Sequence, residues 1–347
     1  MIKQLSRIVI SVICMVVLSA CGLSKSPTES LNSLFANDSS SWLTLLTISP
    51  DGEWYVNVER EDQFGIASVY DPQKYYLSEI REEYGVQQQS QVWSPDSSKI
   101  AVVSAAHIGK FNFDRVIIYY PAEDSLLTGY VFYLPEEGSP GIAWAPDGEK
   151  LLITTQTALY IIDDQAQLLD TAPTEGYQAM YAEWTPNGLF VFTRDTESKD
   201  SSFKLMWSKS GSIDGFELLW DSQSEWCYFA GFSEAGDKLL VRIDSAKNLH
   251  QYHVIDLNTR EVIKVVELRG FLQVNKNYNR YVYGQIVRKI RSAGGLGTLY
   301  VFDWDSMEFI ECGRADFLIG YYQSMEGFLV VNNYDEQSPI EIIKYKP

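Results

Sequence analysis

Between residues 42 and 347 the chain consists of short apolar runs separated by polar turns. Runs such as KIAVVS at Lys99, KLLITT at Lys150 and DKLLV at Asp237 have strand length, and each follows a compact turn phrase. The phrase reads Trp93-Ser94-Pro95-Asp96, Trp144-Ala145-Pro146-Asp147-Gly148 and Trp184-Thr185-Pro186-Asn187-Gly188, with Ile48-Ser49-Pro50-Asp51-Gly52 ahead of them. Proline presets the first turn position, Asp or Asn bonds its own following backbone, and Gly accepts positive φ. The tryptophan fills the wedge between adjacent sheets. Weaker copies follow at Phe232-Ser233-Glu234-Ala235-Gly236, Val274-Asn275-Lys276-Asn277-Tyr278 and Ser324-Met325-Glu326-Gly327. Measured at positions 50, 95, 146, 186, 234, 276 and 325, the copies recur roughly every 40 to 50 residues, the range of propeller blades.

After each phrase and its strand comes a second hairpin, such as ALYIIDDQAQLLDT from Ala158 or LHQYHVIDLNTREVIKVVEL from Leu249. Two hairpins make one four-stranded antiparallel unit. Seven units arranged radially predict an all-β fold, a β-propeller of seven four-stranded blades over residues 42–347. The last unit ends at Ile340–Lys346 with only its third strand, and the segment Leu31–Ala36 is read as the missing fourth. The W-S-P-D-G phrase resembles the WD40-like, PD40-type repeat in the propellers of TolB and its relatives, which implies the propeller fold and says little of function. The chain departs from that family in having no α/β domain before the propeller.

The N-terminus adds an address. Lys3 and Arg7 precede an apolar core from Ile8 to Leu18 that is too short to span a bilayer, which reads as an export signal over residues 1–20. Leu18-Ser19-Ala20-Cys21 resembles the lipobox of bacterial lipoproteins, and the resemblance implies cleavage before Cys21 and its acylation by palmitate-type chains. Two or three such chains hold a protein stably to a membrane where one does not. Residues 21–41 are Ser-rich and read as a flexible tether. The expected location is extracytoplasmic, lipid-anchored to the cell membrane or outer membrane.

Composition agrees with an exported body. The formal charge is −18 and becomes −20 once Lys3 and Arg7 leave with the signal, a balance that opposes nucleic acid. Aromatic residues make up 14% of the chain, a bias suited to pleated sheet. Beyond Cys14 and Cys21 only Cys227 and Cys312 remain, expected as separate buried thiols on an inner and an outer strand.

Catalytic signatures are sparse. His250 and His253 lie three apart on a predicted strand and therefore face opposite ways. No G-x-S-x-G elbow, zinc-type Cys/His spacing or phosphate loop is present. Gly294, Gly295 and Gly297 read as flexible loop, and Asp163 and Asp164 as turn formers. No catalytic residue, metal site or cofactor is assigned. Loop length points instead to recognition on one face. The connections AAHIGKFNFD from Ala105, RDTESKDSS from Arg194 and VRKIRSAGGLG from Val287 are read as long loops opening there. Arg288, Lys289 and Arg291 form the one tight basic cluster of the mature chain, suited to a carboxylate or phosphate, with Phe111 and Phe113 as apolar anchors. The plain alternative is a solvated charged loop and aromatics folded back over the sheet. The expected function is a non-catalytic scaffold for an envelope protein or polymer. An envelope glycan hydrolase or lyase using channel carboxylates is the other reading.

Overall fold

A computed structural model of the chain describes residues 47–60, 63–68, 87–108, 111–123, 125–133, 141–155, 157–174, 177–195, 202–222, 224, 227–233, 235–244, 249–269, 272–274, 282–287, 297–315, 317–322, 327–331 and 340–345. These form seven antiparallel sheets in which consecutive strands pair in chain order. Sheet 1 holds β1 (Thr47–Ile48), β2 (Trp54–Arg60) and β3 (Gln63–Ser68). Sheet 2 holds β4 (Gln87–Trp93), β5 (Ile100–Ile108), β6 (Phe111–Tyr120) and β7 (Ser125–Tyr133). Sheet 3 holds β8 (Gly141–Trp144), β9 (Lys150–Thr154), β10 (Ala158–Asp163) and β11 (Leu168–Pro173). Sheet 4 holds β12 (Tyr177–Thr185), β13 (Gly188–Asp195), β14 (Phe203–Ser208) and β15 (Glu217–Asp221). Sheet 5 holds β16 (Cys227–Phe232), β17 (Lys238–Asp244), β18 (Leu249–Asp256) and β19 (Glu261–Arg269). Sheet 6 holds β20 (Leu272–Val274), β21 (Val282–Val287), β22 (Gly297–Asp303) and β23 (Glu308–Ala315). Sheet 7 holds β24 (Phe317–Tyr322), β25 (Gly327–Val331) and β26 (Ile340–Lys344). Ile340–Lys344 is thus the third strand of its sheet, as the sequence predicts, while residues 31–36 lie outside the described residues.

The sheets touch in sequence order through their first strands or, in sheet 6, through the second: β4 against β8, β8 against β12, β12 against β16, β16 against β21, β21 against β24, and β24 back against β1. Sheets 1 and 2 meet where Val56 packs with Trp93, Ile100 and Val102. This circuit is the propeller arrangement that the repeats predict. The core is accordingly a set of layers between sheets. Second strands show why. On β5, Ile100 and Val102 pack toward sheet 1 while Ala101 and Val103 pack toward sheet 3. On β17, Leu239, Val241 and Ile243 pack toward sheet 4 while Leu240 packs toward sheet 6. A strand covered on both faces needs an unbroken apolar run, which is what KIAVVS and DKLLV are. Full burial of each such side chain contributes roughly 1.5–3 kcal/mol. Trp144 fills the wedge as expected: it is completely buried, and its indole N–H donates to the Val92 carbonyl of sheet 2 at 3.1 Å.

The turns between first and second strands and between third and fourth open on one face, and they tie neighbouring sheets together. Within a turn, Ser94 Oγ donates to the Asp96 carboxylate at 2.6 Å and Ser233 Oγ to that of Asp237 at 2.7 Å. The Ser233 hydroxyl is the chief reason the Asp237 carboxyl sits below its ordinary pKa. Between turns, the Asp51 N–H donates to Ser97 Oγ at 2.9 Å, and the Asn187 amide donates to the carbonyls of Ala235 at 3.2 Å and Gly236 at 2.6 Å. Ser97 holds φ 64° where the equivalent turns place Gly52, Gly148 and Gly236, so the strain of a side chain in the left-handed region accompanies a hydroxyl that bonds the preceding sheet. Lys99, only 6% exposed, pairs with Asp164 of the next sheet at 3.1 Å and lies 5.4 Å from the Trp144 ring. Asp163 accepts from the backbone N–H groups of Gln165 and Gln167, the turn role read for it in the sequence.

Two sequence expectations are corrected. Gly297 does not lie in a flexible loop: it opens β22, buried and paired with both Val287 and Ala315. Ala105–Asp114 is not a long loop. It is the end of a β-hairpin, with Ala105 paired to Asp114, Ala106 to Phe113, His107 to Asn112 and Ile108 to Phe111. The polar residues interrupting this stretch masked a regular ladder. The cysteines lie where expected, Cys227 on the first strand of sheet 5 and Cys312 on the last of sheet 6, and both are free. Cys227 is buried and Cys312 half-buried; burial pushes their thiols up to about 11 and about 12.

Gly188 holds φ 129°, and a Cβ there would meet the Ser208 carbonyl oxygen at 2.4 Å. Gly188→Ala is expected to lower the unfolding free energy by about 2 kcal/mol or more in urea titrations. Gly215→Ala, whose Cβ would find ordinary contacts from 3.8 Å, is expected to leave stability unchanged or slightly raised.

Candidate functional site

The face opposite the tied turns carries the connections between second and third strands. The β5–β6 hairpin reaches this face, its ladder paired as far as Ile108 and Phe111. By contrast β9 and β10 of the next sheet are joined by residues 155–157 alone. Phe111 and Phe113 lie two positions apart on the returning strand β6 of this hairpin. Arg288, Lys289 and Arg291 follow the end of β21 and lie outside the described residues, as does Cys21. β6 belongs to sheet 2 and β21 to sheet 6, with sheets 7 and 1 between them in the circuit.

A buried ionic cluster lies on sheet 5 near this same face. Arg242 sits inside the apolar run of β17, opposite Tyr228 of β16 and Tyr252 of β18, and Asp244 sits opposite His250. Arg242 is 7% exposed, and its Nε and Nη2 reach the two oxygens of Asp244 at 2.9 and 3.2 Å. This forked pairing neutralises a charge that burial would otherwise penalise by several kcal/mol. His250 Nδ1 approaches the same carboxylate at 2.6 Å, which makes Nδ1 the protonated nitrogen. The guanidinium also stacks 4.3 Å from the Tyr228 ring centroid, and Tyr228 meets Tyr181 of sheet 4 at 5.2 Å. Burial raises the phenol pKa of Tyr181 and raises that of Tyr252 well above the ordinary range, so both stay protonated. The arrangement fixes an imidazole and locks the inner end of sheet 5 to sheet 4.

His253 faces the other way, as the spacing predicts. Its ring lies 5.6 Å from that of Trp220 on sheet 4, and both its nitrogens are buried without a hydrogen-bond partner. Burial lowers its pKa, which keeps it neutral.

A cleft of about 430 Å³ opens between sheets 3 and 4. Leu159 of β10 forms one wall, and Val191 and Met206, cross-strand partners on β13 and β14, form the floor. Ile213 and Phe216, from the β14–β15 connection, line the end nearer the tied turns, where Asp214 also stands. The opposite end is polar. Thr193 pairs with Lys204 in the ladder, and Tyr177 opens β12 beside them. The Lys204 ammonium makes no ion pair or hydrogen bond among the described residues, although its side chain is half-buried. The Tyr177 phenol is likewise without a bonded partner, and burial raises its pKa.

Arg242 and Lys204 carry a signal that sequence reasoning missed: each is a cation flanked by apolar residues within a strand, LLVRI and FKLMW. A charge at such a position requires either a partner or a cavity.

Together the closed circuit and its stacked four-stranded sheets define a β-propeller. No protein-family model matches the chain, and no curated protein matches it. Among solved structures it is similar to hydrazine synthase from Kuenenia stuttgartiensis, with a TM-score of 0.55 and 14% identity over 86% of this chain and 94% of that one. It is similar to the β-propeller domain of the Trilobed protease from Pyrococcus furiosus, which has an open velcro topology, at 0.54 and 14% over 86% and 91%. It is also similar to the dihydro-heme d1 dehydrogenase NirN in complex with DHE, at 0.51 and 13%, where 86% of this chain spans 65% of that one. These likenesses show the fold.

Asp244→Ala leaves Arg242 buried without its carboxylate and is expected to cost about 3 kcal/mol or more in urea denaturation, with Asp244→Asn costing less. His253 makes stability depend on pH with a definite sign. Its folded pKa is below the unfolded value of about 6.5, so the unfolded chain takes up the proton first and stability falls as pH drops below that value. His253→Phe is expected to flatten this part of the profile, read as melting temperature between pH 7.5 and 5.

Proposed function

We propose that this chain is an extracytoplasmic lipoprotein, held to the membrane through acylated Cys21, whose seven-bladed propeller carries a protein or polymer partner of the cell envelope. The propeller acts as a non-catalytic scaffold, and recognition takes place on the face opposite the tied turns. The observation that carries this reading is the β5–β6 hairpin: a ladder paired as far as Ile108 and Phe111, with Phe111 and Phe113 on its returning strand, mounted on a closed ring. Rigid aromatics bind with little loss of conformational freedom. Arg288, Lys289 and Arg291 supply the cationic part of the same face and meet carboxylates or phosphates. The lipobox-like Leu18-Ser19-Ala20-Cys21 and the TolB-like repeat phrase support the address. Among the described residues no helix is long and apolar enough to cross a membrane. In this reading the acyl chains on Cys21 serve as the anchor.

Cross-linking of the anchored protein in its native cells tests the face. A specific partner is expected for wild type and is expected to be lost when Phe111, Phe113, Arg288, Lys289 and Arg291 are all Ala; recovery undiminished in that variant would move recognition elsewhere. Cys21→Ser is expected to shift the protein from the membrane to the soluble fraction, and its retention in the membrane would refute the anchor.

A further inference from the structure

Among the described residues, Lys99, Arg242 and Lys204 are cations set against the apolar layers, and the first two have carboxylate partners. Lys99 pairs with Asp164 and Arg242 with Asp244, each bridge closing a gap that burial would penalise. Lys204 sits in the cleft between sheets 3 and 4 with none. The cleft is chemically polarised along its length. At one end the ladder places Lys204 beside Thr193, whose hydroxyl donates to the Lys204 carbonyl at 3.4 Å, and Tyr177 lines the same end, so the donors left for a ligand there are the Lys204 ammonium and the Tyr177 phenol. The middle is apolar, with Leu159, Val191 and Met206. At the far end Phe216 closes the apolar stretch, and Asp214 adds a negative charge that repels a second anionic group.

We propose that this cleft binds a small amphipathic monocarboxylate, the Lys204 ammonium taking the carboxylate with the Tyr177 hydroxyl beside it, and the apolar floor taking the tail. A volume of about 430 Å³ lies within the range of small-molecule sites. The protein's formal charge of −18 attracts no anion in general, so selectivity for a carboxylate rests on this local cation. The polar end of the cleft opens toward the partner-binding face, but its lining includes none of the residues assigned to partner binding, and the proposal does not depend on them.

Octanoate, octan-1-ol and octylamine share a tail and differ in head group, which makes them suitable probes. Calorimetric titration of the full chain is expected to show saturable octanoate binding at least about tenfold tighter than either of the others, the ratio given by one charge-assisted contact. Lys204→Met is expected to bring octanoate to the level of octanol without loss of folding, checked by circular dichroism. Met206→Trp, which fills the floor, is expected to abolish binding of all three. Wild-type protein that binds octanoate no more tightly than octanol, that binds none of the probes saturably, or whose preference survives in Lys204→Met would overturn the proposal.

Discussion

Each sheet of this protein has two apolar faces, and neither can be buried without a neighbour. The second strands make the constraint visible: successive residues of β5 and of β17 are all buried, and they point into different layers. A sheet alone would leave both faces in water, and an open stack of sheets would still leave the two at its ends. Closing the stack on itself removes both ends, which is why the contact from β24 to β1 matters as much as any within a sheet. Stability is therefore shared between adjacent sheets and not held in a single centre. The outermost strands, β11 and β23, are mostly exposed, since they lie where the wedges widen to solvent.

Charges enter these layers only at their ends. Lys99 and Asp164 meet at the tied turns, and Arg242, Asp244 and His250 at the opposite end of sheet 5, where strand ends leave room for polar groups. In both places an aromatic ring lies against the cation, Trp144 for Lys99 and Tyr228 for Arg242. The ring covers the alkyl or guanidinium surface that the carboxylate leaves open. The polar groups thus specify which sheets meet and in what alignment, while the apolar residues supply the driving force.

The fold was legible in the sequence because its repeating phrase encodes a turn and two strands at once. Trp144 and the turn carboxylates fell where local chemistry put them. What misled was the stretch from Ala105 to Asp114, whose scattered polar residues resemble a loop, yet Ala105–Ile108 and Phe111–Asp114 form a ladder. The site was less legible. Pairing across sheets depends on a ring geometry that spacing does not report, so the partnership of Arg242 with Asp244 and Tyr228, and the lack of one at Lys204, emerged only with the register of β13, β14, β16 and β17. The signal that was available, a lone cation within an apolar strand, says that something must answer the charge without saying what.

The two faces of the ring also differ in how freely their sequences can change over evolutionary time. Where turn touches turn, as at Asp51 with Ser97 and Asn187 with Gly236, an added residue in one turn displaces the bond that its neighbour needs. Lengthening is penalised twice, once in each sheet. On the other face the β5–β6 ladder runs to Ile108 and Phe111 whereas β9 and β10 are joined by residues 155–157, so hairpins of different length share one frame. Inserted segments can therefore accumulate on that side without altering the frame, and relatives of this protein should differ in length mainly there.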